Sequence, residues 1–136
     1  MSLPPITVSA LDAVRLEKLL ERQAAQGLAD ISGLENELAR AHIVEPENMP
    51  PDVVTMRSQV CFEILPEGKT FELTLCYPDE MNGSREQISI LAPIGSAILG
   101  LSVGQEISWP TPAGTQLRVR VKALSWQPER AGMLLM

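Results

Sequence analysis

The sequence predicts an α+β fold: a short N-terminal antiparallel two-helix coiled-coil finger, then an antiparallel sheet domain with one short helix. Three observations predict it. Residues 1–45 carry helical periodicity behind two capping-box sequences. Pro46-Glu-Asn-Met-Pro-Pro51 then interrupts the chain with residues that continue neither helix nor strand. From Val53 onward, apolar residues alternate at period two between Pro- and Gly-rich turns. The expected organisation is a finger over 1–45, a linker over 46–52 and a sheet domain over 53–136.

The first helix opens at Ser9-Ala-Leu-Asp12, and Leu11, Leu16, Leu19 and Leu20 follow with Glu17, Lys18, Glu21 and Arg22 between them. Gly27 supplies a stop. A second box, Ser32-Gly-Leu-Glu35, opens the next helix, whose seam is Ile31, Leu34, Leu38 and Ala41. Pro46 sets its limit, and no strand is expected here beyond Ile6 to Val8. Helices of about 15 residues are ~22 Å long. So short a pair is marginal alone, so its base is expected to pack on the following domain.

In that domain, strands are expected near 54–65, 70–78, 87–92, 105–110 and 115–126, with a helix at 93–100 on one face. Val60, Phe62 and Ile64 form one inward face, and Phe71, Leu73, Leu75 and Tyr77 the next, across a turn at Pro66-Glu67-Gly68-Lys69. Cys61 and Cys76 then fall on the outer face, opposite or one diagonal apart, as two free thiols in a reducing compartment. Pro93 begins the short helix and Gly100 and Gly104 bracket its exit. On the last strand Leu117, Val119, Val121 and Ala123 face the core, and Arg118, Arg120 and Lys122 face water or an acidic partner.

Charge narrows the function. The net charge of −6 is spread along the chain: residues 1–45 hold seven acids and four bases, the remainder ten and seven. Neither part is the basic footprint that nucleic-acid binding requires. No run approaches the ~18 apolar residues of a membrane span, and the N-terminus lacks a signal peptide's pattern. A cytoplasmic protein is expected. His42 is the only histidine, which excludes His-based triads and His/Cys metal clusters, and it is placed in the last turn of the second helix beside the dipole's negative end. There is no Walker A pattern. Neither a cofactor nor a metal is expected.

Several stretches together resemble a known family. Pro93-Ile94-Gly95-Ser96-Ala97-Ile98-Leu99-Gly100, Val103-Gly104-Gln105-Glu106 and Thr111-Pro112-Ala113-Gly114 look like the C-terminal domain of the bacterial Gre transcript-cleavage factors. Asp52-Val53-Val54-Thr55-Met56 after Met49-Pro50, and the closing Gln127-Pro128-Glu129-x-Ala131-Gly132, resemble the Rnk family, regulators of nucleoside diphosphate kinase within the Gre superfamily. The resemblance implies an FKBP-like form for the sheet domain, RNA polymerase as partner, and a monomer. It also implies a docking surface at Ala92, Pro93, Ile94, Gly95 and Ser96. Its alternative is a tight strand-to-helix connection made for packing.

Gre factors carry paired acids at the finger tip, which hold a second metal ion for RNA cleavage. A two-metal site needs several oxygen ligands. Here the tip, with Gln26, Gly27 and Asp30, offers the single carboxylate of Asp30, while Glu35 is expected to turn back on its own helix. The expectation is a non-enzymatic regulator that binds polymerase at the secondary channel and competes with Gre-type factors. The alternatives are a Gre-like cleavage factor and, by fold analogy alone, a prolyl isomerase.

Overall fold

The computed structural model describes residues 4–26, 32–110 and 114–133. Strand β1 (Thr7–Ser9) leads directly into helix α1 (Ala10–Gln26), followed by α2 (Ser32–Arg40) and β2 (His42–Val44). Then come β3 (Gln59–Leu65), β4 (Lys69–Cys76), β5 (Gln87–Ser89), α3 (Pro93–Ile98), β6 (Glu106–Pro110) and β7 (Gln116–Trp126). The main sheet has the order β5-β4-β3-β7-β6. It is mixed and not wholly antiparallel as expected, because β5 pairs with β4 in parallel, Leu75 against Ile88. The intervening 3₁₀ turn at Pro78–Glu80 and the loop after it carry the chain back alongside the last residues of β4, Thr74 to Cys76.

The helical segment also departs from expectation. α2 stops at Arg40, well short of Pro46, and His42 opens a strand: its backbone N–H donates to Ile6 O at 2.9 Å, and Thr7 pairs with His42 in a parallel ladder. His42 is therefore exposed on β2 and is not in a helix's last turn. Extended chain wins because Ile43 and Val44 are β-branched and β1 offers an open edge.

β1 is also tied to the sheet domain, for the Thr7 N–H donates to Gly100 O at 3.1 Å. Gly100 sits at φ +80°, and a Cβ there would lie 2.8 Å from Ile6 Cβ. Only glycine meets both demands.

One hydrophobic core runs through both parts. Leu16, Leu19, Leu20 and Leu34 from the helices join Val60, Phe62, Leu75, Val119 and Val121 from the sheet. Burying each such leucine contributes roughly 1.5–3 kcal/mol, which a bare helix pair of this length lacks.

On β7 the expected alternation fails at its end. Phe62 pairs with Val121 but Cys61 pairs with Ala123, so a β-bulge absorbs Lys122. The phase shifts, Ala123 turns outward, and Leu124 enters the core at 8% exposure. The outward row is solvated and paired: Arg118 with Glu106 at 2.7 Å and Arg120 with Glu63 at 2.6 Å.

Cys61 faces Glu72 across the β3–β4 ladder, and Cys76 lies four residues further along β4. At ~3.3 Å per residue the thiols are too far apart to bond, unlike the neighbouring placement expected. Both are free.

The chain's end closes the fold. The buried Gln127 donates from Nε2 to Pro50 O at 2.9 Å and Val53 O at 2.7 Å, and its Oε1 accepts from the Arg130 N–H at 3.0 Å. Thr55 donates its hydroxyl to Glu129 at 2.8 Å. Met133 is half exposed, while the remainder of the apolar tail, Leu134 to Met136, lies outside the described residues.

Candidate functional site

The five residues at the start of α3 divide into two groups. Ala92 N–H donates to Ser89 O at 3.0 Å, and Pro93 occupies the first turn, where no donor is needed. Gly95 is pressed against β5: a Cβ there would fall 2.1 Å from Ser89 O. Ser96 donates its hydroxyl to Ile90 O at 2.6 Å. Gly95 and Ser96 are buried and anchor the turn, leaving little of either at the surface. Ala92, Pro93 and Ile94 remain half-buried. Ile98 and Leu99 are fully inward, while Ile94 packs only partly on the core. What faces outward is a small, rigid, uncharged apolar knob.

The second component is the hairpin, held along much of its length. At its start, Ser9 Oγ accepts from the Asp12 N–H at 3.0 Å, the first half of a capping box. The Asp12 carboxylate does not return to Ser9. It accepts from the Met56 N–H at 3.2 Å and the Tyr77 hydroxyl at 3.3 Å. Further along, Leu19, Arg22 and Gln23 line a 190 Å³ cleft with Tyr77, Pro78 and Asp79. On α2, Gly33 abuts the Trp109 ring: a Cβ there would lie 2.7 Å from Cζ2. The helices therefore lie against the sheet domain and meet it well beyond their base. Gln26 ends α1, but its side chain, Gly27 and Asp30 lie outside the described residues. Glu35 is exposed.

Electrostatics concentrate at this seam. Burial pushes Asp12 up to about 6, with the negative charge of Glu129 adding to the effect and the Met56 N–H, Tyr77 and Arg15 opposing it. Burial and then Asp12 hold Tyr77 above its ordinary value. Beside it Arg57 takes a left-handed φ of 67° and lies over the Tyr77 ring at 5.6 Å, with Nε 2.5 Å from Glu80. Burial, then Glu80, raise the Cys76 thiol.

Sequence reading saw Asp12 as part of a cap and missed its bonds to Met56 and Tyr77. Its signal was present: at the third helical position it is one methylene shorter than the Glu that closes a capping box.

Among the described residues no group of three or more His, Cys, Asp or Glu is arranged to hold a metal ion. No helix among them is long and apolar enough to cross a membrane.

Comparison with known proteins bears on both components. Residues 49–125 match the family described as transcription elongation factor, GreA/GreB, C-terminal, and residues 4–44 match the Rnk N-terminus. The regulator of nucleoside diphosphate kinase of Escherichia coli K12 is 46% identical over 100% of both chains. The transcription elongation factor GreA of Syntrophus aciditrophicus is 35% identical over 60% of this chain and 50% of its own. A solved structure, a prokaryotic transcription elongation factor GreA/GreB from Nitrosomonas europaea, is 50% identical. It covers 89% of this chain and 99% of its own, with a TM-score of 0.71. With a matching N-terminal segment, a matching C-terminal domain and a full-length relative, the chain belongs to the Rnk family within the GreA/GreB superfamily.

Proposed function

We propose that the protein is a non-enzymatic, cytoplasmic regulator of transcription. It grips RNA polymerase beside the secondary channel through Ala92, Pro93 and Ile94, and its hairpin occupies the entrance without cleaving transcript. It thereby competes with Gre-type factors as a monomer. The names of its relatives, regulator and elongation factor, support a role in transcription. We read the sheet domain as FKBP-like and the helix pair as a short coiled coil. The effect on nucleoside diphosphate kinase carried by the relative's name is read as indirect, through transcription.

The observation that carries this reading is how the hairpin is held. α2 has nine residues, ~13 Å of helix, and Gly33 in its first turn is already against Trp109. A probe bound along its length to its own domain has little reach left for a distant reaction centre. Asp30, the lone carboxylate of the tip sequence, offers a metal few ligands.

The test has two arms. Captured polymerase should retain the protein and release it when a Gre factor is added in excess. Stalled elongation complexes supplied with magnesium should show no release of short 3′ RNA. Retention unaffected by the competitor overturns the shared docking surface, and RNA release overturns the non-enzymatic reading in favour of a Gre-like cleavage factor.

A further inference from the structure

The groove between α1 and α2 is a second interaction surface, separate from the knob at Ala92 to Ile94. It encloses 410 Å³, with Leu20 and Leu38 in its lining and the exposed alanines Ala24 and Ala39 alongside. Three exposed carboxylates, Glu17, Glu21 and Glu35, border it. Four acids elsewhere are held in ion pairs: Glu37 with Arg40, Glu63 with Arg120, Glu80 with Arg57 and Glu106 with Arg118. None of these ion pairs involves the three groove glutamates. Moreover Glu17 and Glu21 stand four apart on one helix, where like charges repel and destabilise it. A cation laid between them relieves that repulsion.

We infer that this groove docks a short amphipathic helix of a partner protein, with an apolar ridge flanked by lysine or arginine. The shape argues for a helix. Two neighbouring helices with small residues along their shared valley accept a third helix's ridge at close approach. The span argues for its length, since Glu17 to Ala24 covers ~10 Å, about two helical turns. The charge argues for its sign: three acids bordering an apolar valley repel nucleic acid and select a cationic segment. The inference does not rest on the polymerase reading: it needs only the groove's shape and charge, whether or not the same hairpin also occupies a polymerase entrance.

The test titrates the ¹⁵N-labelled full chain with a synthetic helix-forming peptide of 14 residues, leucine along one stripe and lysine on both flanks. Two control peptides replace the lysines by glutamate or the leucines by serine. The expected result is amide shifts centred on Glu17, Glu21, Ala24, Glu35 and Ala39 with the first peptide and neither control. The triple variant Glu17→Gln, Glu21→Gln, Glu35→Gln should bind at least tenfold more weakly. A triple variant of equal charge change, Glu45→Gln, Glu47→Gln, Glu86→Gln, should stay within twofold of the parent. No binding, equal binding of the serine peptide, shifts centred elsewhere, or equal losses in both triple variants overturn the proposal. Circular dichroism of each variant, compared with the parent, confirms that the helices persist.

Discussion

The carboxylate of Asp12 accepts a hydrogen bond from the hydroxyl of Tyr77 across 65 residues of chain, and the Met56 N–H bonds its other oxygen. This buried acceptor joins the first turn of α1 to the sheet domain. Its environment opposes ionisation and so makes the joint sensitive to pH.

For Asp12 the carboxyl is raised from 3.8 to about 6 in the fold. The folded state therefore holds this proton more tightly than the unfolded state. Its contribution favours folding below pH 3.8, is lost as pH rises toward 6, and is level above that. The span corresponds to roughly 3 kcal/mol. Asp12→Asn keeps an acceptor for the Met56 N–H and removes the titration. The variant's stability relative to the parent should rise by that order between pH 4 and 7, measured by urea unfolding at each pH. A constant difference across the range would place the ionisation elsewhere.

Gly100 meets two demands at once, a left-handed φ and contact with Ile6. Gly100→Ala should destabilise the protein by about 2–3 kcal/mol, the sum of conformational strain and displacement of β1. A thermal melt should show it, with β1 and β2 amides losing hydrogen-exchange protection first.

At the start of α3, neighbouring substitutions should fail differently. Ile94→Asp places a charge on the half-buried knob and should weaken polymerase retention at least tenfold, with the fold kept. Pro93→Ala should weaken it less. Gly95→Ala drives a Cβ into Ser89 O and should lower thermal stability before binding is considered. Equal retention by Ile94→Asp and parent would move the docking surface elsewhere.

The hairpin's seat on the domain can be read through Trp109. Gly33→Ala forces the ring aside, because the new methyl would fall 2.7 Å from Cζ2. Tryptophan emission should shift to longer wavelength as the ring gains solvent, with a stability loss of about 1–2 kcal/mol. Unchanged emission would mean that α2 does not rest on Trp109 in solution.

Period and punctuation made much of this architecture readable. The alternation of Val60, Phe62, Val119 and Val121 found the sheet, and Ser9 found the start of α1. What escaped was set by partners distant in sequence. His42 entered a strand because β1 offers it a ladder. The bulge at Lys122 inverted Ala123 and Leu124, whose composition alone cannot say which faces inward. At the candidate site, Pro93 and Ile94 were legible as an apolar turn. That Gly95 and Ser96 serve packing depended on Ser89 and Ile90 passing beneath them. Asp12 read as a cap, and only the arrival of Tyr77 and Met56 made it a joint.

The bond from Thr7 to Gly100 and the bonds from Gln127 to Pro50 and Val53 interlace the two ends of the chain with its middle. A cut between the helices and the sheet would leave raw edges on both pieces. Chimeras that graft another factor's finger onto this scaffold must therefore carry residues 4–9 with the scaffold. Otherwise they would strip away the sheet domain's own lining along with the part they meant to exchange.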